Sequence, residues 1–162
     1  MSNELMQRGQ HWLEQFLNLS SLPTSVKATL EEPHEDKPSC WLTIDQTKLT
    51  SEQIQTLIGL DGSVIDAIQY LANSILNLGQ EDTQQAAYTI ELDGYRIRRQ
   101  AELRAMAEYA AKKVRETGEE FELKSLSSAE RRQVHTFLKE CDDLETQSRG
   151  QEPDRRLVVR RR

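Results

Sequence analysis

Apolar residues recur at helical spacing in five stretches of the chain, and this pattern predicts five helices. The stretches cover approximately residues 10–19, 51–58, 63–78, 100–117 and 130–141. The last stretch follows Ser127, which forms a capping box with Glu130, a common opening of a helix. Segments that alternate apolar and polar residues predict strands at residues 24–30, 40–45, 87–93, 119–124 and around Leu157 and Val159.

The most apolar of the five predicted helices covers residues 63–78. At helical spacing its expected buried seam is Val64, Ile68, Leu71, Ile75 and Leu78. Three further apolar residues widen this seam: Ile65, Ala72 and Leu76. The acidic, proline-containing run at residues 31–39 is expected to be an exposed loop between two paired strands.

The order of these elements predicts an α+β protein made of two small domains. The first domain is expected at residues 8–94 and the second at residues 95–162, with a hinge at residues 93–99 (DGYRIRR). A chain of 162 residues with 36% hydrophobic and 30% charged residues is typical of a polar globular protein. No apolar run approaches the roughly 18 residues that a membrane span requires.

Targeting signals and metal motifs are not recognisable in the sequence. The first residues lack the basic-then-apolar layout of a signal peptide, so we expect an intracellular, cytoplasmic protein. Cys40 and Cys141 are the only cysteines and form no Cys-x-x-Cys pair, so no structural zinc is expected. His34 lies among acidic residues without a second ligand nearby, and we expect neither a metal site nor a cofactor.

The net charge of −6 conceals a strong asymmetry between the two halves. Residues 1–94 contain 4 Lys and Arg against 14 Asp and Glu, a net charge of −10. Residues 95–162 contain 17 Lys and Arg against 13 Asp and Glu, a net charge of +4. Because affinity for a polyanion follows local potential, the C-terminal half is expected to bind nucleic acid if either half does.

The helix at residues 130–141 is expected to carry a row of cations beside its buried seam. Its apolar face contains Val134, Phe137, Leu138 and Cys141. The neighbouring face contains Arg131, Arg132, His135 and Lys139. Donors fixed on a rigid helix suit the oxygens of a phosphate backbone, although a solvated helix face has the same pattern.

The spacing Arg131-x-x-x-His135 resembles the R-three-H domain, a small module that binds single-stranded nucleic acid. The resemblance continues through residues 145–148 (ETQS), 150–153 (GQEP) and 155–159 (RRLVV), where that family places short strands and a turn. It implies that Arg131 and His135 hold backbone phosphates. Five more arginines are expected to help or to extend this surface: Arg132, Arg155, Arg156 and, near the hinge, Arg98 and Arg99.

The N-terminal half resembles a KH domain of the bacterial (type II) topology. The resemblance rests on the element order and on the turn Gly59-Leu60-Asp61-Gly62 between two helices. In that family a Gly-x-x-Gly turn clamps the backbone of about four nucleotides. Here Leu60 and Asp61 stand where the family usually has a Lys or Arg. We expect the carboxylate to repel phosphate; a role in docking a protein and residual RNA binding both stay open.

The Tyr95-Arg-x-Arg-Arg99 string resembles the junction of Jag-type bacterial proteins, which join a KH domain to an R-three-H domain. This resemblance covers about residues 10–160, without the extra N-terminal domain that many Jag-type proteins carry. It implies a cytoplasmic protein that binds single-stranded RNA (single-stranded DNA stays open), acts after transcription and is linked to cell elongation and division. A small separate KH-domain protein is an expected partner.

Two other functions are weighed against RNA binding. In one, the chain is an adaptor whose acidic N-terminal half docks a protein partner. In the other it is an enzyme, which we do not expect. His11, His34 and His135 have no Ser, Cys or carboxylate near them in a known catalytic arrangement. Tyr95 is the one modest candidate for stacking on a base, so binding is expected to be mostly electrostatic.

Overall fold

The computed structural model describes residues 2–34 and 37–162, without the side chain of His34. Backbone contacts divide the chain into two compact units, Met1–Arg96 and Ile97–Arg162. Within the described residues, no helix has the length and apolar character needed to cross a membrane. The expectation that His34 binds no metal concerns a side chain outside the described part.

The first unit has the predicted order of helix, strand, strand, helix, helix, strand. Its elements are α1 (Ser2–Leu19), β1 (Val26–His34), β2 (Lys37–Ile44), α2 (Ser51–Ile58), α3 (Ser63–Asn77) and β3 (Ala87–Glu91). The sheet order is β1-β2-β3. β1 and β2 are antiparallel, whereas β2 and β3 are parallel.

Two boundaries in the first unit differ from the sequence prediction. α1 begins at Ser2, well before the predicted start near residue 10, because Leu5 and Gly9 pack into the core. A Cβ at Gly9 would lie 2.7 Å from the Tyr88 ring, so glycine permits a close helix–sheet approach there. β1 and β2 also extend into residues 31–39, which were predicted as a loop: His34 pairs with Lys37.

The predicted buried face of α3 is partly wrong. The helix buries Ile65, Ile68, Ala72 and Leu76, whereas Val64, Leu71, Ile75 and Leu78 are exposed. The reason lies in its amides, which reach the free edge of β3. Asn73 accepts from the Tyr88 N–H at 2.8 Å and donates to the Tyr88 carbonyl at 2.7 Å. Gln69 accepts from the Ile90 N–H, and Asn77 makes both bonds with the backbone of Ala86.

The second unit is a three-stranded antiparallel sheet with two helices. Its elements are α4 (Tyr95–Thr117), β4 (Phe121–Leu123), α5 (Ser128–Lys139), β5 (Leu144–Arg149) and β6 (Arg156–Arg161). The strand order is β4-β6-β5. α4 begins at Tyr95, earlier than the predicted start near Gln100, and its first two residues belong to the first unit.

The start of α5 is as predicted. The Ser127 hydroxyl accepts from the Glu130 N–H at 3.2 Å, and the Glu130 carboxylate accepts from the Ser127 N–H at 3.0 Å. The predicted capping box is therefore confirmed. Val134 and Leu138 on the same helix pack against the core that includes Leu157 and Val159.

Alternation along β5 and β6 separates two faces of this sheet. Thr146 pairs with Val159 and Ser148 pairs with Leu157, so these four side chains share the face toward α5. The pairs Glu145–Arg160 and Arg149–Arg156 occupy the opposite, outer face. Val158 also lies on the outer face, yet it is fully buried.

Candidate nucleic-acid interface

An open depression of about 380 Å³ lies between α5 and the α5-facing side of β5 and β6. Eight residues line it: Ser128, Arg131, Arg132, His135, Thr146, Ser148, Arg155 and Leu157. Three are arginines and three carry hydroxyl groups, whereas none is acidic. This combination of charge and hydrogen-bond donors suits a phosphate oxygen or a sugar hydroxyl.

Arg131 lies at the buried side of the depression, contrary to the exposed position expected for it. The residue is only 5% exposed. Its Nη1 donates to the Leu126 carbonyl at 2.6 Å and to the Arg155 carbonyl at 3.3 Å. Its Nη2 donates to the Glu152 carboxylate. These partners hold the guanidinium inside the protein, because a buried charge requires hydrogen bonds and a counter-charge.

The other predicted cations of α5 are exposed, as the helical pattern indicated. Arg132, His135 and Lys139 all face solvent. The imidazole Nδ1 of His135 contacts the Thr146 hydroxyl on β5, which fixes the ring against the sheet. Arg132 and His135 therefore border the depression together, and Lys139 lies one turn beyond His135 outside its lining.

Arg155 and Arg156 are neighbours in sequence but lie in different places. Arg155 lines the depression and donates from Nη1 to the Gly150 carbonyl at 3.0 Å. Arg156 lies on the outer face of the sheet, where it forms an ion pair with Glu122 at 2.9 Å. The structure therefore does not bring Arg156 to Arg131 and His135, because Arg156 faces the side of β6 opposite to Leu157, which lines the depression.

The arginines near the hinge are not part of the depression either. Arg99 forms ion pairs with Glu130 at 2.7 Å and with Glu102 at 2.9 Å. It thereby binds the carboxylate that caps α5. Arg98 is exposed on α4 and is absent from the residues that line the depression.

Ion pairs neutralise most of the cations on the outer face of the sheet. Arg149 binds Glu120 at 2.8 Å, and Arg160 binds Glu145. The hydrogen bond from Arg149 lowers the pKa of Glu120 below its ordinary value. Arg115 lowers the pKa of Asp143 in the same way. These cations are compensated by acidic partners, whereas the lining of the depression contains no acidic residue.

The Gly59–Gly62 turn is built around Tyr95. The backbone φ is +75° at Gly59, +52° at Asp61 and +76° at Gly62. The Tyr95 hydroxyl donates to the Asp61 carbonyl at 3.3 Å. This bond and the packing of its ring make Tyr95 half-buried, so it offers less surface for base stacking than the sequence suggested. Leu60, by contrast, is 84% exposed.

Metal-ligating and thiol groups do not add a second site in the described part of the chain. Residues 2–34 and 37–162, without the side chain of His34, contain no cluster of three or more His, Cys, Asp or Glu side chains that could hold a metal. Cys40 is fully buried, and this burial raises its thiol pKa to about 11. The thiol is therefore protonated at neutral pH.

The three hydroxyl residues of the depression were not predicted as site residues. Thr146 and Ser148 alternate with Glu145 and Gln147, and this period of two places both hydroxyls on one face of a strand. The alternation was visible in the sequence. The orientation of that face toward His135 became clear only from the pairing of β5 with β6.

Comparison with known proteins supports the assignment of the second unit. Residues 101–161, from α4 to β6, match the family model of the R-three-H domain. The predicted R-three-H resemblance is therefore confirmed for this part of the chain.

Several curated relatives are similar over a larger part of the chain. RNA-binding protein KhpB of Clostridium symbiosum is 24% identical over 155 residues, covering 96% of this chain and 65% of the relative. RNA-binding protein KhpB of Lactiplantibacillus plantarum is 35% identical over 103 residues, covering 64% of this chain and 31% of the relative. RNA-binding protein KhpB of Bacillus subtilis is 28% identical, covering 68% and 53%. The chain thus spans between 31% and 65% of the length of these relatives.

Proposed function

We propose that this protein binds single-stranded RNA in the depression between α5 and β5. The observation that carries the proposal is the convergence of Arg132, His135 and Arg155 with three hydroxyl groups, and with no acidic residue in the lining. The R-three-H match over residues 101–161 and the names of the relatives support the same function.

Binding is expected to depend mainly on the phosphate backbone. Arg132 and Arg155 supply charge, while Ser128, Thr146 and Ser148 supply hydroxyl groups for phosphate or ribose oxygens. Among the described residues, no Phe, Tyr or Trp side chain lines the depression, so base stacking on these larger rings makes no contribution there. Affinity should therefore fall steeply with salt and vary little with sequence, and single-stranded DNA is the natural competitor to include.

We further propose that residues 8–94 form a KH-like domain of the bacterial type and that residues 95–162 form the R-three-H domain with its leading helix. The element order and the mixed β1-β2-β3 sheet support the first assignment. Asp61 in the Gly59–Gly62 turn is exposed, and its carboxylate disfavours a phosphate at that turn. Nucleic acid is therefore assigned to the second unit.

The resemblance to Jag-type proteins is the basis of a proposal about the cellular role and the partner of this protein. On that basis the protein is a cytoplasmic, non-enzymatic regulator that acts after transcription, linked to cell elongation and division. A small KH-domain protein is the proposed partner. These points rest on the family resemblance and not on the geometry.

The second candidate function is an adaptor whose acidic first unit docks a protein. A specific observation favours it: α3 and its end leave Val64, Leu71, Ile75 and Leu78 exposed, although such apolar side chains are usually buried. A heteromeric complex that survives nuclease treatment and requires residues 1–94 would support the adaptor.

The test of RNA binding is fluorescence anisotropy of a labelled single-stranded RNA with the whole chain at several salt concentrations. Arg155→Ala and Arg156→Ala are a matched pair, since both remove one cation from adjacent positions but from opposite faces. Arg155→Ala should weaken binding on the order of tenfold, the value of one charged hydrogen bond of about 1.5 kcal/mol. It should also reduce the slope of log affinity against log salt by about 0.7.

Arg156→Ala should change the affinity by less than about twofold, because this side chain is engaged with Glu122 on the outer face. Asp61→Ala should leave binding unchanged or strengthen it, whereas Arg132→Ala combined with His135→Ala should weaken it strongly. Equal losses for Arg155→Ala and Arg156→Ala would refute the assignment of the depression.

A further inference from the structure

We propose that Arg131 is a positioning residue that acts through Arg155 and the turn at residues 150–153, without touching the nucleic acid itself. The proposal rests on the proposed function of the depression and gives different roles to the residues that line it. Arg132, His135 and Arg155 make the contacts with the phosphate backbone. Arg131 holds one of these contacts in place.

The guanidinium of Arg131 is held by hydrogen bonds inside the protein. Both terminal nitrogens of its guanidinium have protein partners: Nη1 binds the carbonyls of Leu126 and Arg155, and Nη2 binds Glu152. The residue is only 5% exposed. These bonds engage three of the five N–H donors of the guanidinium, and its burial leaves a ligand little access to the other two.

The hydrogen bonds of Arg131 connect α5 with the segment that precedes β6. Arg131 binds the backbone carbonyl of Arg155, while the side chain of Arg155 binds the Gly150 carbonyl at 3.0 Å. The Asp154 N–H donates to the Gln151 carbonyl at 2.9 Å inside the same segment. Arg131 thus links the first turn of α5 to both Glu152 and Arg155, and so sets where the Arg155 side chain meets the depression.

The charge of Glu152 distinguishes a positioning role of Arg131 from direct contact with a phosphate. Its carboxylate lies on Arg131 although the Glu152 side chain itself is 60% exposed. A phosphate that bound Arg131 directly would lie close to this carboxylate, and the two anions would repel each other. The positioning role and the direct-contact role therefore predict opposite effects of neutralising Glu152.

The main experiment compares Glu152→Gln with Asp154→Asn in the whole chain, using the labelled single-stranded RNA. Each variant removes one negative charge from the same exposed segment, but none of the hydrogen bonds of Arg131 involves Asp154. Asp154→Asn measures the general effect of one lost acid. Relative to it, Glu152→Gln should weaken binding by about threefold, because a charge-assisted bond that positions the turn becomes a weaker neutral one.

A second variant, Arg131→Lys, keeps the charge but cannot form the same fork of bonds. It should weaken binding on the order of tenfold and reduce the salt slope by about 0.7, as Arg155→Ala does. In the Arg155→Ala background, Arg131→Lys should have little further effect, because the side chain that Arg131 positions is already removed. In the Arg132→Ala background its effect should be additive.

Thermal unfolding identifies any variant that has lost its fold. If Arg131→Lys does not fold, Glu152→Gln still tests the proposal, because it changes an exposed side chain.

Three results would overturn the proposal: Glu152→Gln binds more tightly than Asp154→Asn, Arg131→Lys binds like the parent protein, or Arg131→Lys and Arg155→Ala are additive. Each would show that Arg131 contacts the ligand through its charge or has no role in binding. Failure of the underlying function is distinguishable, because Arg132→Ala and Arg155→Ala would then both leave RNA affinity unchanged.

Discussion

Gly62 has no room for a side chain, because Tyr95 fills the space beside it. A Cβ there would lie 1.8 Å from the Tyr95 hydroxyl oxygen, and φ is +76°. Gly79 provides a control, since its φ is +73° but nothing lies within 4 Å of its Cβ position. We expect Gly79→Ala to lower the free energy of unfolding by about 1 kcal/mol, the conformational cost alone. Gly62→Ala should cost about 2–4 kcal/mol, since overpacking adds to that cost.

Urea unfolding of the two glycine variants, followed by circular dichroism, measures this difference. Equal losses would mean that Tyr95 moves aside without cost. In that case the turn would be free to accept the close backbone approach for which Gly-x-x-Gly turns are known.

Single residues show where sequence reasoning was limited. Arg131 and His135 were recognisable from their spacing, and His135 is indeed exposed. Helical periodicity could not predict that Arg131 is buried, because its partners Glu152 and Arg155 come from a distant segment. The same limit applies to Gly62, whose small size is required by Tyr95 on another element.

At the scale of elements, α3 protects the free edge of β3. Asn73 makes two hydrogen bonds with the backbone of Tyr88, at 2.8 and 2.7 Å. Asn73→Ala should lower the free energy of unfolding by about 2–3 kcal/mol, because a backbone donor and a backbone acceptor both lose their partner. It should also increase the hydrogen exchange of the Tyr88 amide.

The matched control is Ser74→Ala, at an exposed neighbouring position of the same helix, which should change stability by less than about 0.5 kcal/mol. Chemical denaturation gives the free energies, and hydrogen exchange followed by nuclear magnetic resonance gives the protection of Tyr88. If Asn73→Ala were as mild as Ser74→Ala, the amides of α3 would not stabilise the strand edge.

The elements themselves were more predictable than their faces and ends. The start of α5 was predicted correctly because a capping box is a local signal. The buried face of α3 was predicted only in part, because Gln69, Asn73 and Asn77 bind β3 and the residue before it, which apolar periodicity does not reveal. The ends of β1 and β2 were missed because strand pairing extends through residues whose composition is typical of a loop.

At the scale of the whole molecule, net charge alone was only a coarse guide to the position of the unpaired cations. The sequence showed that the C-terminal half is the positive one. The structure shows that Arg149, Arg156 and Arg160 are paired on the outer face, whereas Arg132 lines the depression. Within the described residues, no hydrogen bond or ion pair of the Arg132 side chain is present. The strand pairing therefore determines which arginines of the sheet are compensated on its outer face.

The two halves are expected to differ in RNA binding when they are separated. A fragment of residues 95–162 keeps α4 whole and retains every residue that lines the depression. It should bind labelled single-stranded RNA at low salt and release it at high salt, with a salt slope close to that of the whole chain. A fragment of residues 1–94, with its net charge of −10, should bind weakly at any salt concentration.

Circular dichroism of each fragment first establishes that it is folded, and anisotropy at low and high salt then compares the fragments with the whole chain. Binding by residues 1–94 would contradict the expected repulsion at Asp61 and move the site to the Gly59–Gly62 turn. Binding by the whole chain alone would mean that both halves contribute to one ligand. Absence of binding by any form would favour the adaptor function, because the exposed apolar side chains of α3 would then be the remaining candidate surface.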